Sequence, residues 1–285
     1  MYGRLMRPKY DYAFQEIMEE EKARIGFLSA VLSLNPEEVK GAILLEDSPS
    51  SRYGGVKPIL LTIRLLLENQ KEIDVEIEIQ LSKYEELHAA TDRSLFWLSK
   101  AYAKQAGQKG EEGRNRSYAS ICILNYRIFE GEEFHSCFHF REDTRGTSYT
   151  DQMEFHVLEL PKLPEEPQGE EGEDALWGRF IRFGWDESLT EFAKRNEYFQ
   201  SAFFRLLEIS QDKEKWYVYE ARERAIRDRI QGMKEAFEQG IREGRIEAAK
   251  KMKEAGRTEE DISRVTGLDI EEIKALGTGG REKNG

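Results

Sequence analysis

A row of acidic and amide side chains is the feature of this sequence best suited to chemistry. Residues 73–81 alternate strictly between apolar and polar types, which indicates a half-buried β-strand. The polar positions are Asp74, Glu76, Glu78 and Gln80. Carboxylates on one strand face can hold a divalent cation such as Mg²⁺. The alternative is a solvent-exposed face on which Arg64 and Glu76 form an ordinary surface ion pair.

The apolar run before this row carries Thr62 and Arg64. A hairpin turn centred near Gln70 would place Thr62 opposite Glu78 and Arg64 opposite Glu76, with about 5 Å between partners. These polar side chains would then share one face of the hairpin. A threonine hydroxyl is a poor replacement for a carboxylate around Mg²⁺, because this hard cation prefers charged oxygen.

A second group of metal-binding residue types is the run His135, Cys137 and His139. On a strand all three side chains would face one way, as zinc ligands do. The sequence offers no fourth ligand nearby, and the interleaved Phe138 and Phe140 are typical of a packing strand. The packing interpretation is therefore favoured over zinc.

Asp11 precedes the first helical run of apolar residues. An aspartate at that position is a good helix N-cap, which alone explains its presence.

Hydrophobic periodicity predicts the elements that position these residues. Strands are expected at 59–67, 73–81, 120–129, 134–140 and 154–160, with helices near the N-terminus and over 87–104. Residues 164–175 are rich in Pro, Gly and Glu and predict a mobile acidic linker. Residues 176–276 read as helical, and 277–285 as a disordered tail.

The helical region ends in a helix, a turn at Gly267 and a second helix. Its length resembles that of small DNA-reading units. Asp269, Glu271 and Glu272 open the second helix, and acids there repel phosphate. The pattern therefore favours a hairpin used for packing or self-association.

Composition excludes several classes of protein. The net charge of −12 and the pI near 5.1 exclude a protein that coats nucleic acid by bulk charge. No apolar run approaches the ~20 residues that span a bilayer, and Cys122 and Cys137 cannot make a disulfide framework. We therefore expect a soluble, cytoplasmic protein without a membrane partner.

Several separated segments resemble a known family. They are PKYDYAF at 8–14, IEIQ at 77–80, RSLFW at 93–97, FHSCF at 134–138, ELPKL at 159–163, GRIEAAK at 244–250 and VTGL at 265–268. In this order and spacing they resemble the PD-(D/E)XK nuclease family transposases, also called recombination-promoting nucleases. The resemblance implies an α/β fold, with a restriction-endonuclease-like core over residues 1–163 and a helical C-terminal region.

The resemblance also implies a metal-dependent DNA endonuclease. Its cofactor would be one or two Mg²⁺ or Mn²⁺ ions, and its partner double-stranded DNA. Asp11, Glu78 and Gln80 match acidic and amide positions of the family pattern, and Asp11 and Glu78 would hold the metal. Thr62 stands where the family has a metal-binding Asp, which predicts weakened cleavage.

The spacing from Thr62 also fits Glu76 as the family's glutamate, so Glu76 and Asp74 stay alternative acids. The DNA-contacting candidates are Arg64, Arg93, Lys100 and Lys104.

Two other functions remain open. The first is a non-cleaving DNA-binding or protein-interaction module that retains the nuclease fold. The second is an assembly protein that forms homo-oligomers through its C-terminal helices.

Overall fold

The computed structural model describes residues 4–45, 60–84, 90–106, 116–167 and 169–277 of the chain. The chain forms two compact units, Met1–Ile226 and Arg227–Gly285. The strands are β1 (Val39–Leu44), β2 (Leu60–Leu67), β3 (Glu72–Gln80), β4 (Arg116–Leu124), β5 (His135–His139) and β6 (Met153–Glu159). The helices are α1 (Asp11–Met18), α2 (Glu21–Val31), α3 (Ala90–Ala106), α4 (Glu173–Phe183), α5 (Thr190–Arg195), α6 (Glu197–Gln211), α7 (Lys213–Glu254), α8 (Glu259–Thr266) and α9 (Ile270–Ala275). Short 3₁₀ turns lie at Pro36–Glu38, Leu160–Lys162 and Glu187–Leu189.

The described strands form one mixed sheet in the order β1-β2-β3-β4-β6-β5. The pairs β1–β2, β2–β3 and β5–β6 are antiparallel, whereas β3–β4 and β4–β6 are parallel. The central strands β3 and β4 are therefore bordered by strands on both sides. The prediction of an α/β fold with a C-terminal helical region is confirmed.

The β2–β3 hairpin has a different register from the one predicted. Thr62 lies opposite Glu76 and Arg64 opposite Asp74, so the predicted partners Glu78 and Glu76 are wrong by two residues. The turn centres on residue 69, because Leu67 pairs with Lys71 and Gln70 adopts a left-handed conformation with φ of 63°. A three-residue loop that ends in a left-handed residue is a common hairpin connection.

The polar side of β3 is covered rather than exposed. Helix α3 packs on β3 and β4, so β3 is buried on both faces, with only Glu72 and Glu76 half-buried. The expectation of a half-buried strand is therefore wrong, and so is the alternative of a solvent-exposed face with an Arg64–Glu76 pair. We call the side that carries Asp74, Glu76, Glu78 and Gln80 the acid face.

The remaining helices of the first unit share an aromatic core. Trp177 is fully buried, and its ring contacts those of Phe27, Phe180 and Phe199 edge-on. Helix α2 packs on α4, α6 and β1. These contacts hold α4 and α6 against α2.

The second unit has a small core of its own, formed by Ala249, Ile262, Leu268 and Ile273. Thr258 caps α8, and Gly267 ends α8 with φ of 70°, a left-handed conformation that favours glycine. Asp269 and Glu272 form a capping box at the start of α9. Most of the predicted tail, residues 278–285, lies outside the described residues.

No helix in the part of the chain that the structure describes is both long and apolar enough to cross a bilayer.

Candidate active site

The acid face brings most of the predicted site residues together. Parallel pairing aligns Asp74, Glu76 and Glu78 of β3 with Tyr118, Ser120 and Cys122 of β4. On the other side, β2 places Thr62 beside Glu76. Paired residues in adjacent strands point to the same face, so these side chains form one polar surface beneath α3.

Glu76 is the least compensated acid of this surface. Its Oε2 atom is buried and has no hydrogen-bond partner among the described residues. Burial raises the pKa of the Glu76 carboxyl to about 7, with smaller contributions in the same direction from Asp74 and Glu78 and an opposing one from Lys100. A carboxylate with a raised pKa and an unpartnered oxygen is disposed to accept either a proton or a cation.

Asp74 is neutralised by arginine. Arg64 donates two hydrogen bonds to its carboxylate, at 2.6 and 2.9 Å. Arg116 lies 3.9 Å from Asp74 and pairs more closely with Glu72, at 2.5 Å. The bond to Asp74 raises the pKa of Arg64, although burial opposes it. Asp74 is therefore the acid least free to take a metal ion.

Glu78 is held at the other end of the row. Arg93 of α3 pairs with its Oε1 at 2.8 Å. The side-chain amide of Gln80 donates to its Oε2 at 3.4 Å, and Tyr126 donates to the amide oxygen of Gln80 at 2.6 Å. Gln80 is thus fixed beside Glu78 in a buried position.

The DNA-contacting candidates differ in their surroundings. Arg64 and Arg93 are engaged by acids of β3, as described above. Lys100 is exposed and lies 4.8 Å from the ring centre of Trp97 on α3. The side chain of Lys104 lies outside the described residues.

Asp11 lies in a different environment from the acid face. Its carboxylate accepts two hydrogen bonds from Arg222 of α7, both at 2.8 Å. Tyr10 occupies the N-cap of α1 and Asp11 is the first helical residue, so the predicted N-cap role of Asp11 is wrong by one position. A metal ion at Asp11 would have to replace this bidentate ion pair.

No sequence signal marks Arg116 and Tyr126, which contact the side chains of the acid face, or Arg222, which pairs with Asp11. Arg116 and Tyr126 come from β4 and the turn after it, and their relation to β3 depends on a parallel pairing that periodicity does not reveal. Arg222 is one of many charged residues on α7, without a local signal that sets it apart.

The acid face offers a divalent cation only a few protein ligands. Mg²⁺ is commonly held by one or two carboxylates together with water and substrate phosphate. Glu76 offers an unpartnered buried oxygen, and Glu78 lies two residues away on the same face. The described part of the acid face contains no group of three His, Cys, Asp or Glu ligands close enough to enclose an ion. The residues therefore suit a site that the substrate completes.

No curated protein and no solved structure matches the chain. The family model of the PD-(D/E)XK nuclease family transposases matches residues 8–236 of 285, and the chain therefore belongs to this family.

Proposed function

We propose that this protein is a divalent-metal-dependent DNA endonuclease whose cleavage is weakened by Thr62, with Glu76 as its principal metal ligand. Nucleases of this family generally use divalent metals and act on DNA. The observation that carries the proposal is the buried, unpartnered Oε2 of Glu76, directly across the hairpin from Thr62.

The side chains of the acid face would have different roles in metal binding. Glu76 would bind the metal and Glu78 would be a second ligand, in exchange for its contact with Arg93. Gln80 would keep Glu78 oriented through its amide. A bound Mg²⁺ or Mn²⁺ would supply Lewis acidity toward the phosphate and an activated water.

Positive charge near the acid face would meet the DNA backbone. Lys100 is exposed on α3 and is the best placed of the candidates. Arg64 and Arg93 would take part only when their contacts with Asp74 and Glu78 exchange for phosphate. Lys104 follows Lys100 by one turn of the same helix and remains a candidate.

Thr62 is the expected reason for weak activity. A carboxylate at this position would lie opposite Glu76 and give the cation a second charged ligand. Supercoiled-plasmid nicking with Mg²⁺ or Mn²⁺ is therefore expected to rise in Thr62→Asp by about 10-fold or more over the parent. Thr62→Asn, which adds similar volume without charge, is the matched control and should not gain.

A non-cleaving DNA-binding module is the second candidate. The arginine partners of Asp74 and Glu78 favour it, because they occupy carboxylates that a nuclease would use for metal. This candidate predicts that the parent retains DNA in a mobility-shift assay and fails to nick it. Nicking by the parent that stops in chelator would reject the non-cleaving candidate, whereas nicking by Thr62→Asp alone would mean a nuclease fold disarmed at residue 62.

A further inference from the structure

A second group of ligands lies on the β5–β6 pair, where the run of His and Cys residues acquires partners. Cys137 lies directly opposite His156, and His139 directly opposite Glu154. These two cross-strand pairs are adjacent on one face, which brings Cys137, Glu154 and His156 together and places His139 beside them. Glu154 and His156 are far from Cys137 in sequence and gave no motif, which is why the sequence offered no fourth ligand.

Neighbouring side chains of this cluster lie about as far apart as two ligands of a tetrahedral ion. Cys137 Sγ lies 3.8 Å from His156 Nε2 and 3.9 Å from His139 Nε2. Glu154 lies 3.5 Å from His156 Nε2 through Oε1, and 3.5 Å from His139 Nε2 through Oε2. Tetrahedral Zn²⁺ with ordinary bond lengths places sulfur and nitrogen ligands about 3.6 Å apart and nitrogen and oxygen ligands about 3.4 Å apart. The ligand atoms of Cys137, Glu154 and His156 all lie within 4.8 Å of one another, whereas His139 lies just outside this group and would have to turn toward the ion.

Behind His156 a chain of hydrogen bonds fixes the orientation of its ring. His156 Nδ1 lies 2.9 Å from His135 Nε2, and His135 Nδ1 lies 2.9 Å from Asp174 Oδ2 at the start of α4. If Nε2 of His156 binds a metal, Nδ1 carries the proton and donates to His135, which in turn donates to Asp174. Such carboxylate–histidine support behind a metal-binding imidazole is typical of zinc sites.

We propose that Cys137, Glu154 and His156 hold a Zn²⁺ ion, and that His139, which lies beside them, turns to supply the fourth ligand. One thiolate, one carboxylate and two neutral imidazoles carry two negative charges, which balance the ion. A mixed sulfur, nitrogen and oxygen donor set suits Zn²⁺ better than Mg²⁺, which prefers oxygen alone. The edge position of β5 leaves Cys137 exposed, so the ion can enter from solvent.

This site is distinct from the acid face. Glu76 aligns with Ser120 and Phe155, and Glu78 with Cys122 and Val157. Phe155 and Val157 therefore belong to the acid face, whereas Glu154 and His156 alternate to the opposite face of the sheet. The zinc proposal does not depend on the nuclease proposal.

Metal titration of the full-length chain, without a histidine tag and freed of metal by chelator, tests the proposal. Co²⁺ is expected to bind with one ion per chain, a thiolate-to-metal charge-transfer band and the intense visible absorption of tetrahedral Co²⁺. Zn²⁺ should displace it. Cys137→Ser should remove the charge-transfer band and lower Zn²⁺ affinity by roughly 10-fold or more.

The matched control is Cys122→Ser, which changes the protein's other thiol, buried on the acid face. It should retain the band, and so should Glu76→Gln. His135→Ala should keep the spectrum while lowering Zn²⁺ affinity by about 10–100-fold. Circular dichroism of each variant checks that it is folded. Bound Co²⁺ without a thiolate band, a band that persists in Cys137→Ser, or the absence of binding by the folded parent would overturn the proposal.

Discussion

Glu76 differs from its two acidic neighbours on β3 in how its charge is compensated. Arg64 neutralises Asp74 and Arg93 neutralises Glu78, whereas one oxygen of Glu76 is buried without a partner in the described structure. An uncompensated buried carboxylate destabilises the folded state when it is ionised. A buried carboxylate of this kind is physically reasonable where a ligand supplies the missing positive charge.

The raised pKa of Glu76 has a measurable consequence for stability. Between its ordinary value of 4.5 and about 7, the folded protein holds a proton that the unfolded chain has released. Stability therefore falls as the pH rises through this range. Glu76→Gln does not suffer this loss. As the pH rises from 4 to 8, its free energy of unfolding should therefore increase relative to that of the parent by up to about 3 kcal/mol. Chemical denaturation in chelator at several pH values measures the difference.

Glu68→Gln is a suitable control for this experiment, because Glu68 is exposed at the hairpin turn. It should follow the parent's pH profile. A Glu76→Gln profile parallel to that of the parent would mean that Glu76 titrates normally in the folded protein.

The sequence predicted which polar residues share a face of the sheet, but not which side chains they pair with. Alternation alone placed Asp74, Glu76, Glu78 and Gln80 on one face. The ion pair of Arg64 went to the wrong acid, since a two-residue change in register moves every cross-strand partner. Arg222 and Arg116 could not be assigned to Asp11 and Glu72, because these contacts join elements distant in sequence.

Among the elements, strand β3 shows how tertiary packing overrides a pattern. Strict alternation of polar and apolar residues usually indicates that one face of the strand is exposed to solvent, yet α3 covers the polar face of β3. The sequence contained both elements without any signal that one lies over the other. Strand β1 was also not predicted, because its short segment contains Gly41 and an irregular pairing with β2.

The turn that follows β6 contains a buried ion pair that should matter for stability. Glu159 is 0% exposed and pairs with Lys162 at 2.6 Å, and the Lys162 side chain is 1% exposed. Burial would raise the pKa of Glu159, but the bonds from Lys162, Ile128 and Phe129 outweigh it and lower that pKa. Lys162→Met is expected to destabilise the protein by about 3–5 kcal/mol, because it leaves a buried charge without its cation. Urea denaturation measures this loss.

The exposed pair of Lys22 and Glu197 provides the matched control. Lys22→Met should leave the free energy of unfolding close to that of the parent, because solvent screens an exposed ion pair. Equal effects of the two substitutions would show that burial of the Glu159 pair contributes nothing.

For the molecule as a whole, charge restricts how DNA can be bound. The net charge of −12 opposes a polyanion, so affinity must come from a local surface. If Lys100 contacts one phosphate, Lys100→Ala should weaken binding to all DNA sequences alike. It should also reduce the salt dependence of the binding constant by about one unit in slope. Binding isotherms at several salt concentrations measure this slope.

Lys40 on β1 is exposed as well and serves as the control. Lys40→Ala should leave the slope unchanged, and an unchanged slope in Lys100→Ala would remove Lys100 from the DNA surface.

The two compact units also bear on assembly. The core of Ala249, Ile262, Leu268 and Ile273 belongs to the second unit alone. Self-association through the C-terminal helices stays a prediction. The same holds for metal binding at Asp11 and for the division of the chain at residue 163. The sequence placed the helices of this region by periodicity, but surface residues carry no comparable signal for a partner.

If Glu76 binds the metal of a nuclease, the rate of Mn²⁺-dependent plasmid nicking depends on its carboxylate. Glu76→Gln, made both in the parent and in Thr62→Asp, is compared with Glu68→Gln. We expect Glu76→Gln to lower the rate by about 100-fold or more wherever cleavage is measurable, and Glu68→Gln to leave it unchanged. Unchanged nicking by Glu76→Gln would contradict metal binding by Glu76.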